Sequence, residues 1–276
     1  MRHILTERIE IDGAAPSAAQ LQARMLRGYG HFTAMQIRDR RVRGLALHLD
    51  RLAQGNAELF GAALDRGAVA ELIRQALGPD TTDASVRVYL QRPDADLAPS
   101  VMVTVRPPAE MPATLSLLPV PYQRSVAHIK HLADFGQHYY GDAAAARGYG
   151  EALLTGPDGL ISEGAITNLG CYDGEAVVWP AAALLRGITM QVLERELIRL
   201  GVPVRVAPLR VADLADCRHV FLTNSRGIAT ASTAGEQVLP ADQAFGARLA
   251  EIWQEAPWDE LSAGEASRGA ARATGW

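Results

Sequence analysis

"GYGEALLTGPDGLISEGAITNLG" occupies residues 148–170. Two apolar runs, "EALLT" and "LISEGA", flank the tripeptide Pro-Asp-Gly. Proline presets the φ that a turn needs, and glycine accepts a positive φ without steric cost, so this stretch predicts a β-hairpin. A second hairpin follows in "NLGCYDGEAVVWP", about an Asp-Gly turn. Ahead of the pair lies "YYGDAAAARGYGE", which reads as a helix. Behind it lies "ITMQVLERELIRLG", an amphipathic helix ended by Gly201.

The flanks carry the same mixture. "RHILTERIEIDG" reads as a strand and turn, and "SAAQLQARML" as a short helix with Ser17 as its cap. "GHFTAMQIRDRRVRGLALHLDRLAQGNAELFG" predicts two strands about a turn near Asp39-Arg40, then a helix from about His48. "GAVAELIRQAL" predicts a further amphipathic helix. "ASVRVYLQR", "SVMVTVRPP" and "PATLSLLPVPY" alternate as strands do, with "PDADLAPS" as a loop. "VPVRVAPLRVADLADC" and "HVFLTNSRGIATAS" add strands toward the C-terminus. The fold class is therefore α+β, built as two α/β domains, with no internal repeats. Prolines 107, 108, 112, 119 and 121 cluster. Proline is excluded from helix interiors and central strands, so the cluster predicts a boundary. The expected division is a small N-terminal domain at 1–117, a proline-rich linker at 118–124 and a larger domain at 125–276. The low-complexity tail after about residue 258 is expected to be disordered.

Composition narrows the function classes. Hydrophobic residues make up 48% and charged ones 21% of 276 residues, enough for a sizeable core. A net charge of -4 offers no footprint for nucleic acid or an anionic membrane. The N-terminus has no apolar signal core, and no uninterrupted apolar run is long enough to span a bilayer. Cys171 and Cys217 match no metal or redox spacing. The expectation is a soluble cytoplasmic protein without a structural disulfide.

Five groups of residues could carry chemistry. Lys130 stands among Ile129, Leu132 and Phe135 in a chain rich in arginine and almost devoid of lysine. A partly desolvated lysine becomes a nucleophile; the plainer reading is a stem packed on the surface with its head in water. His128 and His131 flank it without an acidic or cysteine partner at metal-ligand spacing. In "LISEGAITNLG", Glu163 could cap a turn or face a ring nitrogen, with Asn168 bracing the turn. Gly187, Ile188 and Thr189 open a helix, a place for an anion or simply for a capping threonine. "TNS" at 223–225 could cradle an anion or form a plain polar turn. Arg51 in "HLDRL" offers a fork of donors suited to phosphate, or a solvated helix face. A lysine, a carboxylate, an arginine and two anion-cradling turns are together the parts of a pyridoxal-phosphate site.

The order of these parts resembles the class IV aminotransferases, the fold-type IV pyridoxal 5′-phosphate enzymes. These include branched-chain and D-amino-acid aminotransferases and aminodeoxychorismate lyase. The matching words are "HLDRL", "HIKHL", "GYGEALLTGPDGLISEGAITNLG", "LLRGITM" and "VFLTNSRGI", between about residues 30 and 235. The resemblance implies that Lys130 holds the cofactor as a Schiff base and later moves the Cα proton. It implies Glu163 at the pyridine nitrogen, Arg51, Ile188, Thr189 and Ser225 at the phosphate, and Asn224 and Arg226 near the substrate carboxylate. It further implies a homodimer acting on an amino acid and a 2-oxo acid. Three departures concern the substrate pocket. Thr33 stands where glutamate is common, Ser85 replaces a tyrosine of the branched-chain enzymes, and Phe135 replaces a tyrosine near the cofactor hydroxyl. Tyr29, His31, Arg87 and Tyr89 are the pocket candidates. Transamination is the expected activity. Elimination of pyruvate by a lyase is the alternative, because "FLTNS" and "IKHL" resemble lyase words. A catalytically retired binding protein is the third reading.

Overall fold

A computed structural model of the chain describes residues 8–26, 28–92 and 98–261. In chain order the elements are β1 (Arg8–Ile11), α1 (Ala18–Leu26), β2 (Gly30–Arg38), β3 (Arg41–Val42), α2 (Leu45–Phe60), α3 (Arg66–Leu77), β4 (Ala84–Gln91), β5 (Ser100–Arg106), β6 (Thr114–Pro121) and α4 (Phe135–Ala146). They continue with β7 (Glu151–Thr155), β8 (Ile161–Gly164), β9 (Asn168–Tyr172), β10 (Val177–Pro180), α5 (Ile188–Arg199), β11 (Val204–Ala207), β12 (His219–Asn224), β13 (Gly227–Ala234), β14 (Gln237–Val238), α6 (Gln243–Glu255) and β15 (Asp259–Glu260). The α+β class expected from the sequence is the class observed.

The chain divides into two units. The first is Met1–Ala109 with Ile129–Ala133 and Pro257–Trp276; the second is Glu110–His128 with Asp134–Ala256. The first unit holds a sheet ordered β1-β5-β4-β2-β3-β15. Alternation along β2 sends Met35 and Ile37 to one face, where they join Val86, Val88 and Val103 against Leu49 and Leu52 of α2 and Ile73 of α3. The opposite face carries Phe32, Ala34 and Gln36 from β2, Ser85, Arg87 and Tyr89 from β4, and Thr104 and Arg106 from β5.

Helix α2 begins at Leu45, earlier than the expected His48. Its N-cap is Gly44, at φ 72° and without a capping side chain. The cap comes instead from far along the chain: Asp259 Oδ2 accepts the Leu45 N–H at 2.7 Å. Asp259 pairs with Val42 in the β15–β3 ladder, and Arg43 stacks on the Trp258 ring at 4.0 Å. The first residues of the expected disordered tail are therefore a strand; residues 262–276 lie outside the described residues.

The second unit holds a sheet ordered β11-β10-β9-β12-β13-β6-β7-β8, with β14 added to β13. Both hairpins form as the turn residues predict, with Gly159 at φ 75° in the first. The stretch expected as a linker is largely strand: β6 runs through residue 121 and pairs in parallel with both β13 and β7. Proline is tolerated there for a geometric reason. The pairing with β13 stops at Leu117, so Pro119 and Pro121 have a partner strand on one side only.

Candidate active site

In the first unit, Lys130 is fixed through its backbone. The Phe32 N–H donates to the Lys130 carbonyl at 2.9 Å, and the Leu132 N–H donates to the Gly30 carbonyl at 2.9 Å. This short antiparallel contact lies along the N-terminal half of β2 and holds the segment without calling on the Lys130 side chain. The Nζ lies 4.8 Å from the centroid of the Phe32 ring. Phe32 also stacks on Tyr89 at 5.4 Å and has the Arg87 guanidinium 5.9 Å from its centroid. Lys130, Arg87 and Tyr89 thus share one aromatic neighbour.

Two of the four pocket candidates lie elsewhere. His31 is buried on the face that packs on α2, so closely that a Cβ on Gly55 would meet its Nδ1 at 2.8 Å. Burial pushes its pKa down to about 4. Tyr29 is exposed and meets the edge of Phe60 at 6.0 Å. His31 does not share the Phe32 face, because strand alternation turns residue 31 away from residue 32, and Tyr29 precedes β2.

Two residues in this unit, Arg106 and His48, escaped the sequence reading. Arg106 lies on the same face as Arg87, with its Nε buried and without a hydrogen-bond partner among the described residues. Burial, then the charge of Arg87, lowers its pKa, while Tyr89 opposes the shift. Thr33 and His48 form a buried pair, with Thr33 Oγ1 2.7 Å from His48 Nδ1. Burial, with Arg51 and Lys130 nearby, pushes His48 down to about 3, so the ring stays neutral. Thr33, one of the departures noted above, therefore has a local function as the partner of His48. Arg51 lies on α2 one turn beyond His48 and is half-buried.

The second unit presents the remaining groups. Glu163 sits on β8 with its side chain 6% exposed. Its Oε1 accepts from Arg124 Nη1 at 3.2 Å, and its Oε2 accepts from the Leu185 N–H at 3.2 Å. Asn168 opens β9 and clamps the same loop: its Nδ2 donates to the Leu185 carbonyl at 2.7 Å, and its Oδ1 accepts the Gly187 N–H at 3.1 Å. A Cβ at 187 would stand 2.1 Å from Asn168 Oδ1, so a larger residue there would displace the Asn168 clamp. The loop delivers the chain to the N-terminus of α5, which no side chain caps. Thr189 does not cap its helix; its Oγ1 donates to the Asn224 carbonyl at 2.7 Å. That bond ties the helix start to the two-residue turn Ser225-Arg226, whose Arg226 N–H donates to Asn224 Oδ1 at 2.8 Å. Beneath the turn after Glu163, burial pushes Glu151 up to about 7. Its carboxylate faces the N–H groups of Ala152, Ala165 and Ile166, and Arg226 lies within electrostatic reach.

Comparison with known proteins identifies the family of the chain. Residues 30–231 match the model of the class IV amino-transferases, and the chain belongs to that family. Pyridoxal 5′-phosphate is its cofactor. A hypothetical aminotransferase from Mycobacterium tuberculosis, with alpha-ketoglutarate and PMP bound, has 25% identity and a TM-score of 0.75; the match covers 84% of this chain and 90% of that one. The branched-chain aminotransferase of the archaeon Thermoproteus uzoniensis, solved with norvaline, shares the fold at 19% identity, TM-score 0.77, over 91% of this chain and 94% of that one. A proposed 4-amino-4-deoxychorismate lyase from Legionella pneumophila does so at 17% identity, TM-score 0.76, over 85% and 93%. No curated protein sequence matches.

The residues present fit this cofactor by the chemistry of their donors. By donor chemistry alone, the first unit offers an amine suited to its aldehyde and a guanidinium suited to phosphate, and the second a buried carboxylate suited to its ring nitrogen and an uncapped helix N-terminus beside Ser225 suited to phosphate. Among the described residues no helix is long and apolar enough to cross a membrane, and no cluster of side chains suits a metal ion. Both cysteines are buried thiols.

Proposed function

We propose that this chain is an aminotransferase, moving an amino group from an amino acid to a 2-oxo acid. The observation that carries the reading is that the family match encloses every member of the donor set, from Arg51 to Ser225. When bound, pyridoxal 5′-phosphate supplies an aldehyde that takes up amines and a ring that accepts electrons released at Cα. Lys130 holds the cofactor through its amine and takes the proton from the substrate Cα. Glu163 keeps the ring nitrogen protonated. Arg51, the α5 N-terminus at Ile188 and Thr189, and Ser225 bind the phosphate, and Asn168 keeps their loop in place. Asn224 and Arg226 border the substrate carboxylate. The protein works as a homodimer, as the family resemblance implies, and in the cytoplasm, as its cysteine usage leads us to expect.

The first unit's cationic face supplies the means to bind an acidic substrate. Arg87 and Arg106 repel one another on a partly desolvated surface beside Tyr89, an arrangement that an incoming carboxylate relieves. Arg106→Ala should raise KM for the acid substrates about tenfold or more while changing kcat less. An unchanged KM would take Arg106 out of the substrate site.

The lyase reading stands beside this one because "FLTNS" and "IKHL" resemble lyase words. The visible absorption spectrum of the purified protein, recorded with a panel of L- and D-amino acids, separates them. Conversion of the bound cofactor to its amine form by one donor, followed by recovery with a 2-oxo acid, supports transamination and sets its chirality. A cofactor band that ignores every donor, together with pyruvate release from aminodeoxychorismate, would replace the transaminase with the lyase. Absence of any band after incubation with pyridoxal phosphate would overturn both.

A further inference from the structure

We propose that Arg124 is a positioning residue of the cofactor site, acting through Glu163. Its side chain is 3% exposed, and one nitrogen, Nη1, reaches both Glu163 Oε1 and the Ala127 carbonyl, each at 3.2 Å. Burying a carboxylate away from water is costly unless it is paired and hydrogen-bonded, and the Arg124 guanidinium supplies that pairing to Glu163. Each Glu163 oxygen meets a donor from a different side, Arg124 at Oε1 and the Leu185 N–H at Oε2, so the carboxylate plane is fixed.

The second contact holds the guanidinium itself in place. The Ala127 carbonyl belongs to the segment that follows Val126, a β-branched residue at φ 48°. Left-handed backbone at valine is strained and persists only when its neighbours hold it. Arg124 bridges this strained turn, three residues ahead of Lys130 in the chain, to the carboxylate of the ring nitrogen.

The proposal rests on the cofactor and is independent of whether the product is an amino acid or pyruvate. Its test is the affinity of the apoprotein for pyridoxal 5′-phosphate, read by quenching of tryptophan fluorescence. Four variants are compared with the native chain: Arg124→Gln, Arg124→Lys, Glu163→Gln and the Arg124→Gln/Glu163→Gln double. Arg124→Gln should weaken binding about tenfold or more, since it takes the cation away from a buried carboxylate. Arg124→Lys should recover most of that loss, because one nitrogen makes both of these contacts. The double variant should bind no more weakly than Glu163→Gln alone, because Arg124 acts through the residue already changed. If Arg124→Gln fails to fold, the double variant removes the buried charge and is expected to fold, and the comparison with Glu163→Gln still decides. Native affinity in a folded Arg124→Gln, a lysine variant as weak as the glutamine one, or losses that multiply in the double would each overturn the proposal. A native chain that takes up no cofactor would instead overturn the cofactor assignment.

Discussion

Lys130→Ala should abolish turnover, by at least about a thousandfold, and remove every adduct that borohydride can fix on a lysine of this protein. The second expectation is unusually clean, because Lys130 is the only lysine in the chain. Peptide mapping after reduction has one internal site to find. Arginine could not substitute for it: a guanidinium stays protonated and forms no such adduct at working pH. The fold should survive. Two contacts that fix this segment run through the backbone, from the Phe32 N–H to the Lys130 carbonyl and from the Leu132 N–H to the Gly30 carbonyl, and alanine keeps both. The side chain contributes a cation–π contact with Phe32, about 0.5–1 kcal/mol. Circular dichroism and thermal unfolding should therefore be near native while activity is lost. Turnover at the native rate would remove Lys130 from the mechanism.

Glu163→Gln should retain cofactor, bound less tightly, and slow removal of the Cα proton by two or more orders of magnitude, a barrier increase of ~3 kcal/mol or more. On the role proposed for Glu163, the charge that keeps the ring nitrogen protonated is gone. The geometry adds a second cost. In the native protein both carboxylate oxygens accept, one from Arg124 and one from the Leu185 N–H. An amide has one acceptor and one donor. Its oxygen stays with Arg124, the stronger partner. Its NH2 then opposes the Leu185 N–H and pushes on the loop that Asn168 clamps ahead of α5. The variant should thus lose rate at the ring nitrogen and affinity at the phosphate end together. Single-turnover kinetics with a Cα-deuterated donor separate the two. A native rate of proton removal would show that Glu163 does not govern the ring nitrogen.

Residue type and order in the sequence single out Lys130, Glu163 and Thr189, yet what three further residues meet in the fold is invisible there. Arg124 looks like any arginine in a proline-rich stretch until β8 brings Glu163 to it. Arg106 closes a strand that reads as alternating and ordinary; only the β4–β5 register puts it on the face of Arg87. Asp259 lies in a stretch expected to be disordered, and it caps a helix that begins at Leu45. Conversely, Tyr29 and His31 stand beside Phe32 in sequence, and alternation along β2 carries His31 to the helix-packed face.

By itself the sequence determined what is local. Turn residues set both hairpins, because Pro-Asp-Gly and Asp-Gly fix backbone angles within a few residues. Periodicity of apolar residues set α3 and α5, because a helix repeats within one turn. The single lysine determined which side chain could hold the cofactor, because no other residue in the chain offers that amine. The tertiary structure decided everything that depends on two distant segments meeting. It chose β6 as a parallel strand between β13 and β7, sent the Lys130 backbone to β2, and drew Asp259 across to α2. Such pairings leave no local signature. Each is selected by the free energy of burying faces and satisfying polar groups across the whole fold, and no short window of sequence contains both partners.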